Sequence, residues 1–418
     1  MIRKWGTRSV VIVFFSVGHL WAQDASPACS TVVSANARFA FKFFHLLVNK
    51  ASDQNVLVAP AGPSFLFALL DNGADTETRK EIEDTFEFTG ISTPQLNQGF
   101  AELRKYLEPI PRPKLTSRPW WMSPEQWKQY PTAPPEGVII ADSLWLRSGV
   151  AFSRGFTDVN RRYYGADLKT FLSSRTPSIQ VSNWARQRTR KNVPVNISSA
   201  SDFLLVNVTS LHAFWEHKFD ESMTKPDLFT LQSGRKKEVP FMHQRRNFAY
   251  FEAEGFQAVV LSYRSQSMYI FLPRETSSLA QFEDLLTPRN WQEWLPRFES
   301  RPGHVALPKF GVVSNIDLRS VLEDVGVRRA FGTLSAFSPM APEGAMLTSA
   351  SQNTSLKVDE EGTEATSVVL LTGVVGGVSA GFRPPPKPFE MIVNRPFFFA
   401  IADDQTKQLL FMGAIVEP

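Results

Sequence analysis

The sequence feature that most restricts the possible fold is residues 358–382, near the end of the 418-residue chain. This segment holds no proline, although four prolines follow it in residues 384–388, and its middle is β-branched and apolar. In a strand, Thr363, Ala365, Ser367 and Val369 would share one face because successive side chains alternate. All four are small and uncharged. We therefore expect a strand that can slide between two others without burying a charge.

Helical and strand-like patterns are unevenly distributed along the chain. Apolar spacing predicts helices at Ala35–Asn49, Pro63–Leu70, Glu77–Phe86, Leu96–Leu107, Phe156–Tyr164 and Val181–Lys191. Strands are predicted at Asn55–Val58, Val138–Leu146, Leu204–His212, Ala258–Tyr263, Met268–Leu272, Val305–Leu307, Phe397–Ala402 and Leu409–Val416. Helices dominate the first half and strands the second, which is typical of an α+β fold.

Residues 109–135 differ in composition from the rest of the chain. They contain eight prolines together with Trp120, Trp121 and Trp127. Because proline lacks an N–H and restricts the residue before it, we expect an inserted surface loop without regular helix or strand. The tryptophans either pack on the parent domain or form a binding surface.

The first 22 residues have the pattern of a secretory signal peptide. Arg3, Lys4 and Arg8 precede an apolar run, and Ala22 ends it at a small residue suited to cleavage. The run is shorter than the ~20 residues of a membrane span. We expect residues 23–34 to be an N-terminal extension, and the protein to be extracellular, or periplasmic if it is bacterial.

Charge and cysteine content exclude further classes. Without the signal the chain has 42 basic and 41 acidic residues, so neither a nucleic-acid nor a membrane partner is expected. Cys29 is the only cysteine, so no internal disulfide can form.

No sequence motif supports catalysis. Residues 377–381 match the GxSxG pattern around Ser379, but prolines follow where a helix is required. A hydrolase of that class also needs a later histidine, and the last one is His304. No histidine, cysteine or carboxylate pattern has the spacing of a metal site. We expect no enzyme activity, no cofactor and no catalytic or metal-binding residue.

Several ordered motifs resemble the serpin family. Asp359–Ala365 is similar to the hinge of the serpin reactive loop, which implies hinge residues Glu360, Glu361, Gly362, Thr363, Glu364, Ala365, Thr366 and Ser367. Further similarities, in family order, are Asn55–Leu70, Leu205–Asn207 with Phe214, Trp215 and Phe219, Val239–Met242, Leu272–Pro273, Leu307–Phe310, Asn394–Phe399 and Leu410–Gly413. The resemblance implies a serpin domain over residues 35–418, with three β-sheets, about nine helices and an exposed reactive-centre loop at residues 359–388.

The resemblance also implies an inhibitory mechanism. A serine protease cleaves the loop and forms an acyl-enzyme, and the loop then inserts into the main sheet and distorts the protease. Counting from the hinge places the scissile bond at Gly376–Gly377, with Phe382–Arg383 as the alternative. The first favours elastase-like or subtilisin-like targets and the second a chymotrypsin-like one. The alternative function is that of a non-inhibitory serpin, a carrier or chaperone.

The sheet centre departs from the family pattern. Small polar residues and a histidine usually close the sheet there, and the matching positions hold Ala59, Gly62 and Gln352, with only Asn207 fitting. We expect Asn207, Trp215 and Gln352 to control opening of the sheet, and Gln352 to replace the histidine. The altered closure makes loop–sheet polymers of an otherwise monomeric protein possible.

Overall fold

The computed structural model describes residues 25–51, 53–109, 115–119, 124–130, 135–149, 151–172, 178–189, 203–348, 350–363 and 387–418. The predicted signal peptide at residues 1–22 lies outside this part of the chain. Its α-helices are α1 Pro27–Lys50, α2 Ala61–Asp71, α3 Thr76–Thr85, α4 Thr93–Tyr106, α5 Pro124–Gln129, α6 Arg154–Val159, α7 Ser178–Thr189, α8 Leu279–Glu283, α9 Pro288–Trp294, α10 Leu318–Val325 and α11 Arg329–Gly332.

Fifteen strands are described. They are β1 Val56–Val58, β2 Gly137–Arg147, β3 Asp167–Phe171, β4 Phe203–Phe214, β5 Lys225–Thr230, β6 Lys236–Ala253, β7 Phe256–Ser262, β8 Gln266–Pro273, β9 Glu299–Pro308, β10 Phe310–Asp317, β11 Ser351–Val358, β12 Gly362–Thr363, β13 Phe389–Ile392, β14 Phe397–Asp403 and β15 Leu409–Ile415. Each helix and strand predicted from the sequence overlaps one of these elements, so the predicted α+β class is confirmed.

Two helices differ from the sequence prediction. Helix α1 begins eight residues earlier than predicted, because Pro27 occupies the first turn and the Ser26 hydroxyl accepts a hydrogen bond from the Cys29 N–H at 3.2 Å. The expectation of no regular structure in residues 109–135 is wrong at Pro124–Gln129, which forms α5. A proline is tolerated there because the first N–H groups of a helix need no partner within it.

The strands form two hydrogen-bonded networks. The six-stranded sheet has the order β10-β11-β12-β4-β2-β3, and the nine-stranded network has the order β1-β15-β14-β8-β7-β6-β9-β13, with β5 on β6. The 18-residue strand β6 pairs with β5 through residues 236–241, with β9 through 241–250 and with β7 through 249–253. This long strand joins two of the three sheets expected of the fold into one continuous network.

Helix α2 connects the two networks. All of its eleven residues are buried, and it contacts both β4 of the six-stranded sheet and β15 of the other network. Phenylalanine rings from three segments stack beside it, with Phe86 4.4 Å from Phe39 and 4.6 Å from Phe67 between ring centroids. Helix α2 and these rings therefore form a closely packed core beneath β4. Any strand that enters beside β4 must fit against this core.

Candidate functional site

The described start of the predicted hinge enters the six-stranded sheet. After β11 the chain reverses through residues 359–361, and Gly362 and Thr363 then form β12 between β11 and β4. Thr363 is opposite Val358 on one side and Ala213 on the other. Two hydrogen bonds between Asp359 and Gly362, at 3.1 and 3.3 Å, close the turn. Thr363 already has strand partners on both sides, and Gly362 is paired with Phe214 of β4.

Gly362 is required at this turn by both conformation and space. Its φ is +147°, in the region that L side chains rarely adopt. A Cβ at this position would lie 2.2 Å from the Ala213 carbonyl oxygen and 2.8 Å from the Phe214 Cα. Glycine therefore allows the hinge to approach the β4 backbone.

The Thr363 hydroxyl forms a buried polar contact. Its side chain is 2% exposed, and its hydroxyl lies 2.7 Å from the Tyr263 hydroxyl. The Tyr263 ring stacks on Trp215 with 4.4 Å between centroids. Burial raises the pKa of Tyr263, so the phenol stays protonated and either hydroxyl can donate. Thr363 is thus satisfied in a site where a larger or charged side chain would not fit.

Trp215 holds the turn that precedes the hinge. Its indole N–H donates to the Asp359 carbonyl at 2.8 Å, and its backbone N–H donates to the Glu361 carbonyl at 3.0 Å. The predicted role of Trp215 beneath the entry point of the loop is consistent with these contacts. Both bonds are made to backbone oxygens, so they fix the path of the chain at residues 359 and 361.

Ion pairs fix the two acidic hinge residues. Glu360 accepts hydrogen bonds from Lys309 at 2.7 Å and from Thr224 at 2.8 Å, and Glu361 pairs with Lys218 at 2.9 Å. Burial by itself would raise the pKa of Glu360, but the bonds from Lys309 and Thr224 outweigh it and hold that pKa below its usual range. These charged groups anchor the turn while the next residue, Gly362, enters the sheet.

The predicted closing residues form two separate groups. Asn207 on β4 donates to Asp142 on β2 at 2.8 Å and accepts from the Thr209 hydroxyl at 2.9 Å. The amide fills the space beside Gly62, where a Cβ would meet its oxygen at 2.2 Å. This group links β2 to β4 above helix α2.

Gln352 on β11 bonds to the end of β1 instead. Its amide oxygen accepts from the Ala59 N–H at 3.1 Å, and its amide nitrogen donates to the Ala59 carbonyl at 2.9 Å. Within the described residues no ladder pair joins β11 directly to β4. The two sides of the sheet centre are therefore held by different partners.

Some predicted residues lie outside the described part of the chain. They are Glu364, Ala365, Thr366 and Ser367 of the hinge, and Gly376, Gly377, Phe382 and Arg383 of the scissile-bond candidates. Ser379 of the rejected GxSxG pattern also lies there. These assignments stay predictions.

Four residues of the site were not identified from the sequence. Lys309 lies in Leu307–Phe310, one of the segments that resemble the serpin family, so the sequence could have identified it. Tyr263, Asp142 and Lys218 stand in no motif, and only the tertiary structure brings them to the hinge and the sheet centre.

Other functional classes find no support in the described residues. No group of three or more histidine, cysteine, aspartate or glutamate side chains there could hold a metal ion. Two histidines do meet: His243 Nδ1 lies 3.1 Å from His304 Nε2, and His304 Nδ1 lies 3.1 Å from a Glu390 carboxylate oxygen. None of the helices in that part of the chain is both long and apolar enough to cross a membrane.

The class of protein is defined by its fold: an α+β domain in which a two-residue strand lies between β11 and β4 of a six-stranded sheet. The family described as Serpin (serine protease inhibitor) matches residues 34–418. The chain belongs to the serpin family, which is characterised by protease inhibition and not by enzyme activity.

Individual relatives agree with this assignment. The chain is 27% identical to mouse Serpin A9 over 412 residues, which cover 96% of this chain and 91% of the relative. It is 28% identical to mouse antithrombin-III, covering 92% and 81%. Among solved structures, thyroxine-binding globulin in complex with thyroxine has a TM-score of 0.76 at 22% identity, covering 92% and 99%. The thermophilic serpin tengpin in its native state has a TM-score of 0.74 at 24% identity, covering 92% and 94%.

Proposed function

We propose that this chain is an inhibitory serpin, which traps a serine protease by inserting its cleaved loop between β4 and β11. The observation that supports this most directly is the seating of Gly362 and Thr363 between those strands. Insertion then has only to extend a strand that has already begun. The costly first step of insertion, the separation of β4 from β11 beside Thr363, is then already made.

The existing register supports continued insertion on the buried face. Counting on from Thr363, Ala365 falls opposite Leu211 of β4 and Leu356 of β11, which are both buried. Ser367 then falls opposite Thr354, which is also buried. Small uncharged side chains at these positions match a face that leads into the core.

The opposite face is exposed on its β11 side. Glu364 falls opposite Lys357, whose side chain is 64% exposed, and opposite His212 of β4, which is buried. Val369, which shares the buried face with Thr363, would lie between Asn207 and Gln352, where the sheet centre is held by two separate groups. Strand β4 offers partners from Ala213 to Phe203, enough for loop residues 363–373.

The loop composition favours a protease with a small or apolar specificity pocket. Residues 373–380 contain glycine, valine, serine and alanine around Gly376–Gly377, and within residues 359–382 there is no lysine or arginine. Pro384 follows Arg383 and should block cleavage at that bond. We therefore favour elastase-like or subtilisin-like targets, with a chymotrypsin-like enzyme cutting after Phe382 as the alternative.

The test is incubation with a panel of these proteases and with trypsin, followed by a denaturing gel. We expect a covalent complex with at least one elastase-like or subtilisin-like enzyme and none with trypsin. Mass spectrometry of the released C-terminal peptide will identify the scissile bond. Cleavage of the loop by every protease without any covalent complex would refute the inhibitory function.

A second candidate is a carrier serpin. It rests on the similarity to thyroxine-binding globulin, a structure solved with a bound small molecule. The hinge argues against it, because Thr363, Ala365 and Ser367 suit insertion. Binding of an apolar small molecule together with a failure to trap any protease would favour this alternative.

Secretion is part of the proposal. Residues 1–22 would direct export, so that the mature serpin domain meets its protease outside the cell or in a periplasm. N-terminal sequencing of the exported protein would test this, and a mature terminus near Gln23 is expected.

A further inference from the structure

Two partly exposed histidines that are 61 residues apart in the chain meet on the surface of β6 and β9. His243 lies opposite Ala306, and His304 lies opposite Arg245, so the two side chains are diagonal neighbours on one face. His243 Nδ1 is 3.1 Å from His304 Nε2, and the rings lie within 18° of parallel with 5.3 Å between centroids. The pair therefore presents two facing ring nitrogens that no local sequence motif records.

Glu390 fixes the orientation and the tautomer of His304. It lies directly opposite His304 on β13, and its carboxylate oxygen is 3.1 Å from His304 Nδ1. An ionised carboxylate can only accept a hydrogen bond, so His304 carries its proton on Nδ1 and presents the lone pair of Nε2 to His243. A carboxylate on the outer nitrogen is the usual support of a metal-ligating histidine, because it fixes the ring and makes the inner nitrogen more basic.

The spacing of the two facing nitrogens is close to that of two ligands on one metal ion. Zinc–nitrogen bonds of about 2.0–2.1 Å at a tetrahedral angle place two ligand nitrogens about 3.3 Å apart. The observed separation of 3.1 Å is only slightly shorter. A small rotation of the rings therefore directs both lone pairs at one ion. His243 then carries its proton on Nε2 instead of Nδ1, so both rings stay neutral and no net proton is released.

The surroundings leave room for water. A cavity of about 450 Å³ opens beside the pair, and both histidines line it. No group of three or more potential metal ligands is formed among the described residues, so the two histidines supply the protein's whole contribution. Water from the cavity can occupy the remaining coordination positions.

Charged groups of both signs face this surface. The cations are Lys218, Lys225, Arg245 and Arg246. The carboxylates are Glu216, Asp220, Asp227, Glu361 and Glu390. Because the two sets are close to balance, the local field does not concentrate cations, and binding must depend on bonds from the imidazole nitrogens. Imidazole suits zinc, copper and nickel, whereas magnesium and calcium prefer oxygen ligands.

We propose that His243 and His304 form a binding site for a divalent transition-metal ion of the zinc type, completed by water and oriented by Glu390. The ion would bridge β6 and β9, and Glu390 would couple it to β13, where the chain returns after residues 359–388. The site does not depend on the inhibitory function proposed above, so either proposal can fail without the other.

The test uses the full-length mature protein without a histidine tag. The probe is ZnCl₂ in isothermal titration calorimetry at about pH 7.5, where imidazole is neutral, and MgCl₂ is the control ion. The variants are His243→Gln, His304→Gln and Glu390→Gln. The matched control is His217→Gln, which makes the same change at an exposed histidine outside the pair. Thermal unfolding with and without ZnCl₂ gives a second readout, and unfolding without metal shows whether each variant is folded.

We expect wild type and His217→Gln to bind one Zn²⁺ per chain and no Mg²⁺ under the same conditions. Glu390→Gln should weaken zinc binding by about 10- to 100-fold, the usual effect of losing the carboxylate behind a ligating histidine. His243→Gln and His304→Gln should each weaken it by a larger factor, because only one imidazole remains. Zinc should raise the Tm of wild type but not that of His243→Gln.

Wild type that binds no Zn²⁺, or that binds Mg²⁺ equally well, would overturn the proposal. Zinc binding that survives in both His243→Gln and His304→Gln would also overturn it, since the ion would then bind elsewhere. If one glutamine variant does not fold, the other decides, because each removes one of the two ligands. Glu390→Gln decides if neither folds, since the Glu390 side chain is 68% exposed and its replacement should not disturb folding.

Discussion

At the scale of single residues, Asp142 is the most unusual group near the sheet centre. Its side chain is 7% exposed. Burial raises its pKa to about 7, although the hydrogen bond from Asn207 and the charge of Arg104 act in the opposite direction. An unfolded aspartate has a pKa of about 3.9, so the folded state binds the proton more tightly. The stability due to protonated Asp142 is fully present below pH 4 and is lost as the pH rises through about 7.

Asp142→Asn should therefore stabilise the protein at pH 8, by on the order of 4 kcal/mol relative to its effect at pH 4. The asparagine can still accept the hydrogen bond from Asn207 and carries no charge. Urea unfolding at pH 4, 6 and 8 measures this, with the exposed Asp158→Asn as control. A wild type and a variant with parallel pH profiles would contradict the argument. The pKa of Asp71 is also raised to about 7 by burial, so Asp71 contributes equally to the pH dependence of stability in wild type and variant.

Gly362 allows a second prediction at this scale. Gly362→Ala would place a methyl group 2.2 Å from the Ala213 carbonyl oxygen, so the hinge should leave the sheet. A Thr363→Cys thiol reports this, because the native Cys29 is buried. We expect the thiol to react on the order of tenfold faster with a soluble reagent when Gly362→Ala is also present. Gly332→Ala, a position with open space around its Cβ, is the control and should not change the rate.

At the scale of elements, the hinge strand β12 tests the mechanism. Thr363→Arg would bury an unpaired charge beside Tyr263, and even about 1.4 kcal/mol added to the insertion barrier slows insertion roughly tenfold. The variant should still be cleaved at the same bond but should form little covalent complex. Glu364→Arg is the matched control and should matter far less, because that side chain would point away from the buried face. Stoichiometry of inhibition on denaturing gels separates the two, and equal trapping by both variants would refute insertion as described.

Some features of these helices and strands could be predicted from the sequence, and others could not. Alternation of small residues from Thr363 to Val369 and the apolar runs of β4 and β15 are local patterns. They predicted the segment that we propose inserts, and they located strands β4 and β15. Pairings such as Glu360 with Lys309 and Gln352 with Ala59 join residues far apart in the chain. No local pattern records these distances. The seated hinge was missed for the same reason, since it depends on the register between β12 and β4.

At the scale of the whole molecule, the division of the sheet centre has consequences for association. Asn207 bonds to β2 and Gln352 bonds to Ala59, the residue after β1, while β4 and β11 share no direct ladder among the described residues. Unpaired strand edges accept strands from other chains. The loop of a neighbouring molecule is one such strand.

We expect mild heating to produce polymers, and a synthetic peptide spanning Thr363–Val374 to block them by occupying the gap. Size-exclusion chromatography after heating below the unfolding midpoint measures this, with a scrambled peptide as control. Monomers that persist up to a single cooperative unfolding transition, with or without peptide, would contradict the prediction. Wild type cleaved in the loop should also resist polymerisation, because its own strand fills the gap.

The position of Asn207 has one more consequence, for biosynthesis. Asn207, Val208 and Thr209 form an N-glycosylation acceptor sequence, yet both polar side chains are bonded within the fold and the asparagine amide fills the space beside Gly62. A glycan attached there before the chain folds could not be accommodated beside helix α2. In a eukaryotic secretory pathway, folding of β4 therefore competes with oligosaccharide transfer to Asn207. Any molecule that is modified at Asn207 before it folds would not become active.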